Sequence, residues 1–139
     1  MSALKHADSF RDLIVYQKGR QLQREIQRLT KSFPKEEAYS LTDQIRRSSR
    51  SIGANIAEAW AKRRYEKHFI SKLTDADGEQ QETQHWIETA FDCDYITESL
   101  AKNLLSKYSS VGRMLNSMIE KSNQFCFDKS NSHTPITDN

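Results

Sequence analysis

The sequence predicts an all-α fold, an antiparallel up-down-up-down four-helix bundle, and three observations carry that expectation. Four Gly and two Pro among 139 residues leave few places to break a helix, and 29% charged with 36% hydrophobic residues suits amphipathic segments. Apolar residues recur at helical spacing in four successive stretches. The connections between those stretches are short, which sets consecutive helices antiparallel. A chain of this length holds one core. Residues 1–127 are therefore expected to form a single domain, and the polar, aperiodic DKSNSHTPITDN of residues 128–139 a disordered tail.

The first helix is announced by Ser9, followed three residues later by Asp12, a helix-start pattern. Val15, Gly19, Leu22, Ile26, Leu29 and Phe33 then alternate spacings of four and three, while Lys18, Gln21, Arg24, Gln27, Arg28 and Lys31 form a polar side. Pro34 cannot continue that helix but suits the first turn of the next, where Glu36 and Glu37 favour the positive end of the helix dipole. The second stripe is Leu41, Ile45, Ser48, Ile52, Ile56 and Ala59. Gly53, Ala54, Ala57 and Ala59 are small enough for close helix packing.

Extrapolated past Ala59, the stripe would place Lys62 or Arg63 and then Glu66 in the core, so the register fails and a turn is expected over Trp60–Arg64. Tyr65 or Glu66 then opens a third helix, which runs to about Asp92 along Phe69, Leu73, Ala76, Gln80, Thr83, Ile87 and Ala90. Its middle is unusually polar. After DCDYIT, Thr97 is an N-cap for a fourth helix carrying Leu100, Leu104, Tyr108, Val111, Leu115 and Met118.

No apolar run reaches the length of a membrane span, and MSALKHADSF lacks the apolar centre of a signal peptide, so a cytoplasmic location without a membrane partner is expected. Cys93 and Cys126 make no CxxC pair and fall near opposite ends of the predicted bundle, too far apart to bridge. The net charge of +2 conceals an uneven distribution. Residues 1–74 carry 16 Lys/Arg and 8 Asp/Glu, a net of +8, whereas residues 75–139 carry 5 and 11, a net of −6. Two readings fit: helices of opposite sign attracting one another within or between subunits, or a basic face for a polyanion.

Several segments in combination resemble the four-helix-bundle family related to proteins encoded by intervening sequences of bacterial 23S ribosomal RNA genes. They are FRDLIVYQKG from Phe10, SFPKEEAYSLTDQIRRSSRSIGANIAEA from Ser32 to Ala59, and HFISKLTDADGEQQET downstream. The resemblance covers roughly residues 10–122. The chain departs from the family pattern at Ala59, where Gly commonly follows NIAE, and at Tyr16, where Trp is common. It also has Asp77 and Glu79 in place of the basic residue and Ser of the usual Ala-Arg-Gly-Ser run. The resemblance implies an antiparallel four-helix bundle assembled into a ring, with a homopentamer the associated form, and supplies no catalytic residues. A distantly similar bundle assists retroelement reverse transcriptases, which implies nucleic acid and a nucleic-acid-processing protein as partners.

Arg46, Arg47 and Arg50, with Lys62, Arg63, Arg64 and Lys67 at the next corner, are candidates for contacting RNA or DNA phosphates, and Trp60 or Tyr65 for stacking an unpaired base. The alternative is that these cations pair with acids of the third helix, such as Asp75, Asp77, Glu79 and Glu82, across an internal or subunit interface. Asn55 and Glu58 lie one turn apart, and with Glu82, Gln80 and Arg47 could form a buried polar network that fixes helix register or a subunit interface. Trp60, Trp86, Phe91 and Tyr95 exceed what one seam needs and are candidates for an oligomer interface. Glu82 and His85 have the Glu-x-x-His spacing of di-iron bundles, but His6, His68 and His133 have no Glu three positions earlier to complete such a site.

The sequence thus leads to a non-enzymatic, homo-oligomeric binding or scaffold module with no cofactor or metal. Nucleic acid is its foremost partner class. The alternative is a metal-binding bundle enzyme or storage protein using Glu82 and His85.

Overall fold

The computed structural model describes residues 7–127, and the tail expected from residue 128 onward lies outside them. Four helices form the bundle: α1 (Ile14–Leu29), α2 (Leu41–Ala61), α3 (Glu66–Asp92) and α4 (Glu98–Glu120). Side-chain pairs across the seams fix their directions. Arg46 meets Thr30 and Arg50 meets Gln27. Ser48 meets Thr83 while Glu58 meets Lys72, and Gln80 faces Gly112 while Glu66 reaches Ser122. In each pair of helices one number rises as the other falls, so neighbours are antiparallel.

The α3 stripe read from the sequence is buried at all seven positions. Its polar middle is buried with it because the polar atoms find partners. Thr83 shares a 2.8 Å hydrogen bond with Ser48 of α2, and Gln80 donates to Asp77 Oδ1 at 2.9 Å and accepts from Gln84 Nε2 at 2.7 Å. Gly112 of α4 makes room for that amide. A Cβ there would stand 2.5 Å from Gln80 Nε2 and 3.2 Å from Asp77 Oδ1. Across the molecule, Gly53 of α2 admits the Tyr16 ring, whose Cε1 would lie 3.3 Å from a Cβ at that position. Ala54, read as a packing residue, points to solvent instead.

Two helix starts differ from the sequence reading. Ser9 and Asp12 do form a capping box, with the Ser9 amide donating to Asp12 Oδ2 at 3.1 Å, but it closes a single 3-10 turn, Phe10–Asp12. Leu13 is extended (φ −73°, ψ 130°), so α1 begins only at Ile14, an arrangement in which Leu13 and Val15 are both buried. Phe33, extended as a residue before proline must be, is buried beyond the end of α1. Lys35–Glu37 then makes a 3-10 turn rather than the start of α2, and Glu37 Oε1 accepts from the Leu41 amide at 3.1 Å where the helix begins.

The turn expected over Trp60–Arg64 is present, with α2 closing at Ala61 and α3 opening at Glu66. The Lys62 amide still donates to Glu58 and Ala59, Tyr65 donates back to Lys62 at 3.1 Å, and Tyr65 is extended. A chain reversal is thereby made without Gly or Pro. Thr97 caps α4 as expected, accepting from the Leu100 amide at 3.1 Å.

Candidate nucleic-acid interface

α1 and α2 together carry seven Lys/Arg and three carboxylates. Every one of those carboxylates is engaged. Asp43 lies 3.8 Å from Arg47, Glu25 lies 3.6 Å from Lys107 of α4, and Glu58 holds Lys72 of α3 at 2.9 Å. The Lys72 ammonium pulls the Glu58 carboxyl below its usual range, and Glu58 in turn raises Lys72. The arginines along the α1–α2 seam are anchored differently. Arg46 Nε donates to Thr30 Oγ1 at 2.8 Å, Arg50 Nη2 to Gln27 Oε1 at 2.8 Å, and Arg20 Nη1 to the Tyr16 hydroxyl at 3.0 Å.

Each of those acceptors is neutral. The hydrogen bonds orient three guanidinium groups without cancelling their charge, and each group keeps further N–H donors in its planar fork. Within the chain, pairing of the α2 arginines with Asp75, Asp77, Glu79 or Glu82 does not occur among the described residues. Helical phase explains it: Arg46 and Arg50 lie toward α1, not α3. Arg20 was absent from the sequence-based set, although its place one turn after Tyr16 is the signal that could have included it.

At the α2–α3 corner the cations divide. Lys62, Arg64 and Lys67 are exposed. Arg63 is not: its guanidinium carbon sits 3.6 Å from the Trp60 ring centroid and 4.7 Å from that of Phe127, and its Nε donates to the Trp60 carbonyl at 2.9 Å. Burial lowers its affinity for its proton, an effect that leaves so strong a base charged. The C-terminal segment brings Phe127 there. Phe125 stacks on Phe69, and the Phe127 amide donates to the Arg63 carbonyl at 3.0 Å. No local pattern could announce this contact, since its partners are 64 positions apart.

The network expected from Asn55, Glu58 and Glu82 does not assemble within the chain. Asn55 bonds back to the Ser51 carbonyl at 2.9 Å, and Glu58 and Glu82 are exposed, the latter accepting from the Trp86 indole at 3.0 Å. Ser48–Thr83 and Glu58–Lys72 supply the polar contacts between α2 and α3, while Gln80 and Asp77 bond to each other within α3.

Of the four aromatic rings read as interface residues, Trp60 packs under Arg63. Tyr95 lies 5.4 Å from Phe33 and donates to Glu37 Oε2 at 2.8 Å. Phe91 is exposed and Trp86 half-buried, with its ring against His85 at 4.6 Å. Among the described residues no group of three or more His, Cys, Asp or Glu is placed to hold a metal, and no helix is long and apolar enough to cross a membrane.

The family model for the 23S rRNA-intervening sequence protein matches residues 11–117, a span that contains α1, α2, α3 and most of α4. The chain belongs to that family. A solved structure of a protein of unknown function from the S23 ribosomal protein family, from Bacteroides thetaiotaomicron VPI-5482, is 30% identical to it. The match covers 77% of this chain and 99% of that one, with a TM-score of 0.71. No curated protein matches. In this intervening-sequence protein the unusual residues have visible roles: Tyr16 covers Gly53 and anchors Arg20, and Asp77 holds the buried Gln80 amide.

Proposed function

We propose that this intervening-sequence protein is a non-enzymatic, cytoplasmic, homo-oligomeric bundle that holds the phosphate backbone of RNA or DNA along its α1–α2 face. The observation that carries the proposal is the anchoring of Arg20, Arg46 and Arg50 on neutral acceptors. A cation neutralised by a carboxylate has little left to offer a phosphate; one held in place by a hydroxyl or amide is oriented and still charged. Phosphate contacts supply affinity without reading sequence, so the partner is a backbone rather than a particular base order. The ring implied by the family resemblance, pentameric in its associated form, would repeat the face and convert a weak contact into a strong one through avidity.

Titration of the full chain with RNA and DNA at low and moderate salt tests the proposal. Affinity should fall with salt, and Arg46→Glu should weaken every sequence alike while reducing the salt slope by about one. Absence of binding to any RNA or DNA would remove the nucleic-acid reading and leave a scaffold. Mass measurement in solution tests the assembly. Stoichiometric iron or manganese in purified protein would overturn the non-enzymatic reading in favour of a metal site at Glu82 and His85.

A further inference from the structure

The geometry points to a base-stacking site on the outer face of the Arg63 guanidinium, a site for an unpaired nucleobase of a single-stranded nucleic acid, in which the Phe127 ring now stands where the base would lie. The inference rests on the nucleic-acid reading above and names the class of strand. Trp60 holds one face of the guanidinium closely, at 3.6 Å, and the main-chain carbonyl of Trp60 fixes its in-plane direction through Nε. Phe127 meets the guanidinium at the looser distance of 4.7 Å, and that ring remains 69% exposed. A flat cation already backed by an indole is a platform for any π-face, and a nucleobase matches it as well as a phenyl ring does.

The surroundings suit a strand. Lys62, Arg64 and Lys67 stand exposed at the same corner and supply charge for flanking phosphates. Trp60 lies fourteen residues beyond Arg46, just under four helical turns, so the platform sits on nearly the same side of α2 as Arg46, about 21 Å farther along the axis. A strand whose backbone follows the α1–α2 arginines thus arrives at Arg63. The segment is also held by the Phe127 amide and by Phe125 stacked on Phe69, so removing the Phe127 ring clears the platform while those two contacts stay.

The test compares wild type with Phe127→Ala on three probes: a short single-stranded oligonucleotide, the same strand lacking bases, and a duplex of equal length. Removing the competing ring should tighten single-strand binding about two- to five-fold, the equivalent of one exposed cation–π contact. The abasic strand and the duplex should bind as before. Arg63→Lys on the Phe127→Ala background keeps the charge but not the flat face, and should abolish the gain while duplex binding persists. An unchanged single-strand affinity, or an equal gain on the abasic strand, overturns the stacking site while salt-dependent duplex binding preserves the α1–α2 reading. Failure of every probe to bind removes both.

Discussion

The α1–α2 and α3–α4 seams solve the same packing problem with different chemistry. Each places a glycine where a neighbouring side chain must come close. At Gly53 the incomer is the Tyr16 ring; at Gly112 it is the Gln80 amide, hydrogen-bonded to Asp77 and Gln84. The aromatic closure leaves the arginines of the first seam at its rim, bonded to Thr30, Gln27 and Tyr16. The amide closure draws polar groups inward and leaves a polar groove of about 650 Å³, lined among others by Asp77, Gln84, Glu88, Arg113 and Glu120. Charge follows the division: α3 carries seven carboxylates against two lysines. Elsewhere on α3, burial and the neighbouring Glu82 and Asp75 carboxylates raise Glu79, a sign of the negative potential along this helix.

The largest effect should come from filling the amide slot. Gly112→Val places carbon where Gln80 now sits, which displaces a buried amide from its partners and overpacks the seam. A loss of about 2 to 3 kcal/mol is expected in urea unfolding. A loss below about 0.5 kcal/mol would mean that Gln80 swings out freely and that the slot does not hold α3 against α4.

Next in size is the other seam's rim. Reversing Arg46 and Arg50 together to Glu should lower affinity for RNA or DNA about tenfold at low salt and reduce the salt slope by about two. Stability should change little, since the bonds lost to Thr30 and Gln27 lie at the margin of the seam. The same reversal of Arg113, in the α3–α4 groove, should leave nucleic-acid affinity unreduced; equal losses from the two seams would break the comparison.

A third glycine provides an internal control. Gly78 lies in the middle of α3, and apart from its chain neighbours and the helix's own adjacent backbone no described atom comes within 4 Å of a Cβ placed there. Without a clash, Gly78→Ala should stabilise the helix by about 1 kcal/mol, opposite in sign to Gly112→Val. Destabilisation would show that another chain covers the position, and a simultaneous drop in solution mass would locate a subunit contact at the site.

Legibility from sequence followed the range of the interaction. The seven-residue stripe of α3, the Thr97 cap and the turn after Trp60 depend on local periodicity and capping, and all were readable. Ser9 with Asp12 was readable as a box but not as the box of an isolated 3-10 turn, because what ends that turn is the burial of Leu13 and Val15 on the core. The Asn55–Glu58–Glu82 network does not form within the chain because each member takes another partner, the Ser51 carbonyl, Lys72 and the Trp86 indole, and spacing along one helix does not name those partners. The Arg63 platform was not readable for a related reason: Phe127 comes from the far end of the described chain. Arginines could be counted in the sequence, but the neutrality of their anchors appears only once Thr30, Gln27 and Tyr16 are in place.

The smallest effect concerns a hydrogen bond that joins the connections of the two helix pairs. Tyr95, in the α3–α4 connection, donates to Glu37, in the α1–α2 connection, while the other Glu37 oxygen accepts from the start of α2. That bond, with burial and the Glu37 charge, pushes the Tyr95 phenol from 10.0 up to about 12. A phenol whose proton is held more tightly in the folded state stabilises the fold fully below pH 10 and loses that contribution as pH rises toward 12. The difference in urea stability between wild type and Tyr95→Phe should therefore be constant from pH 7 to 9 and shrink above pH 10. Tyr108, buried and also raised, titrates in both proteins and cancels from the difference. A difference that stays flat through pH 11 would mean that Tyr95 contributes through its packing on Phe33 alone, and that the two helix pairs are joined at this end by apolar contact rather than by a proton shared between their connections.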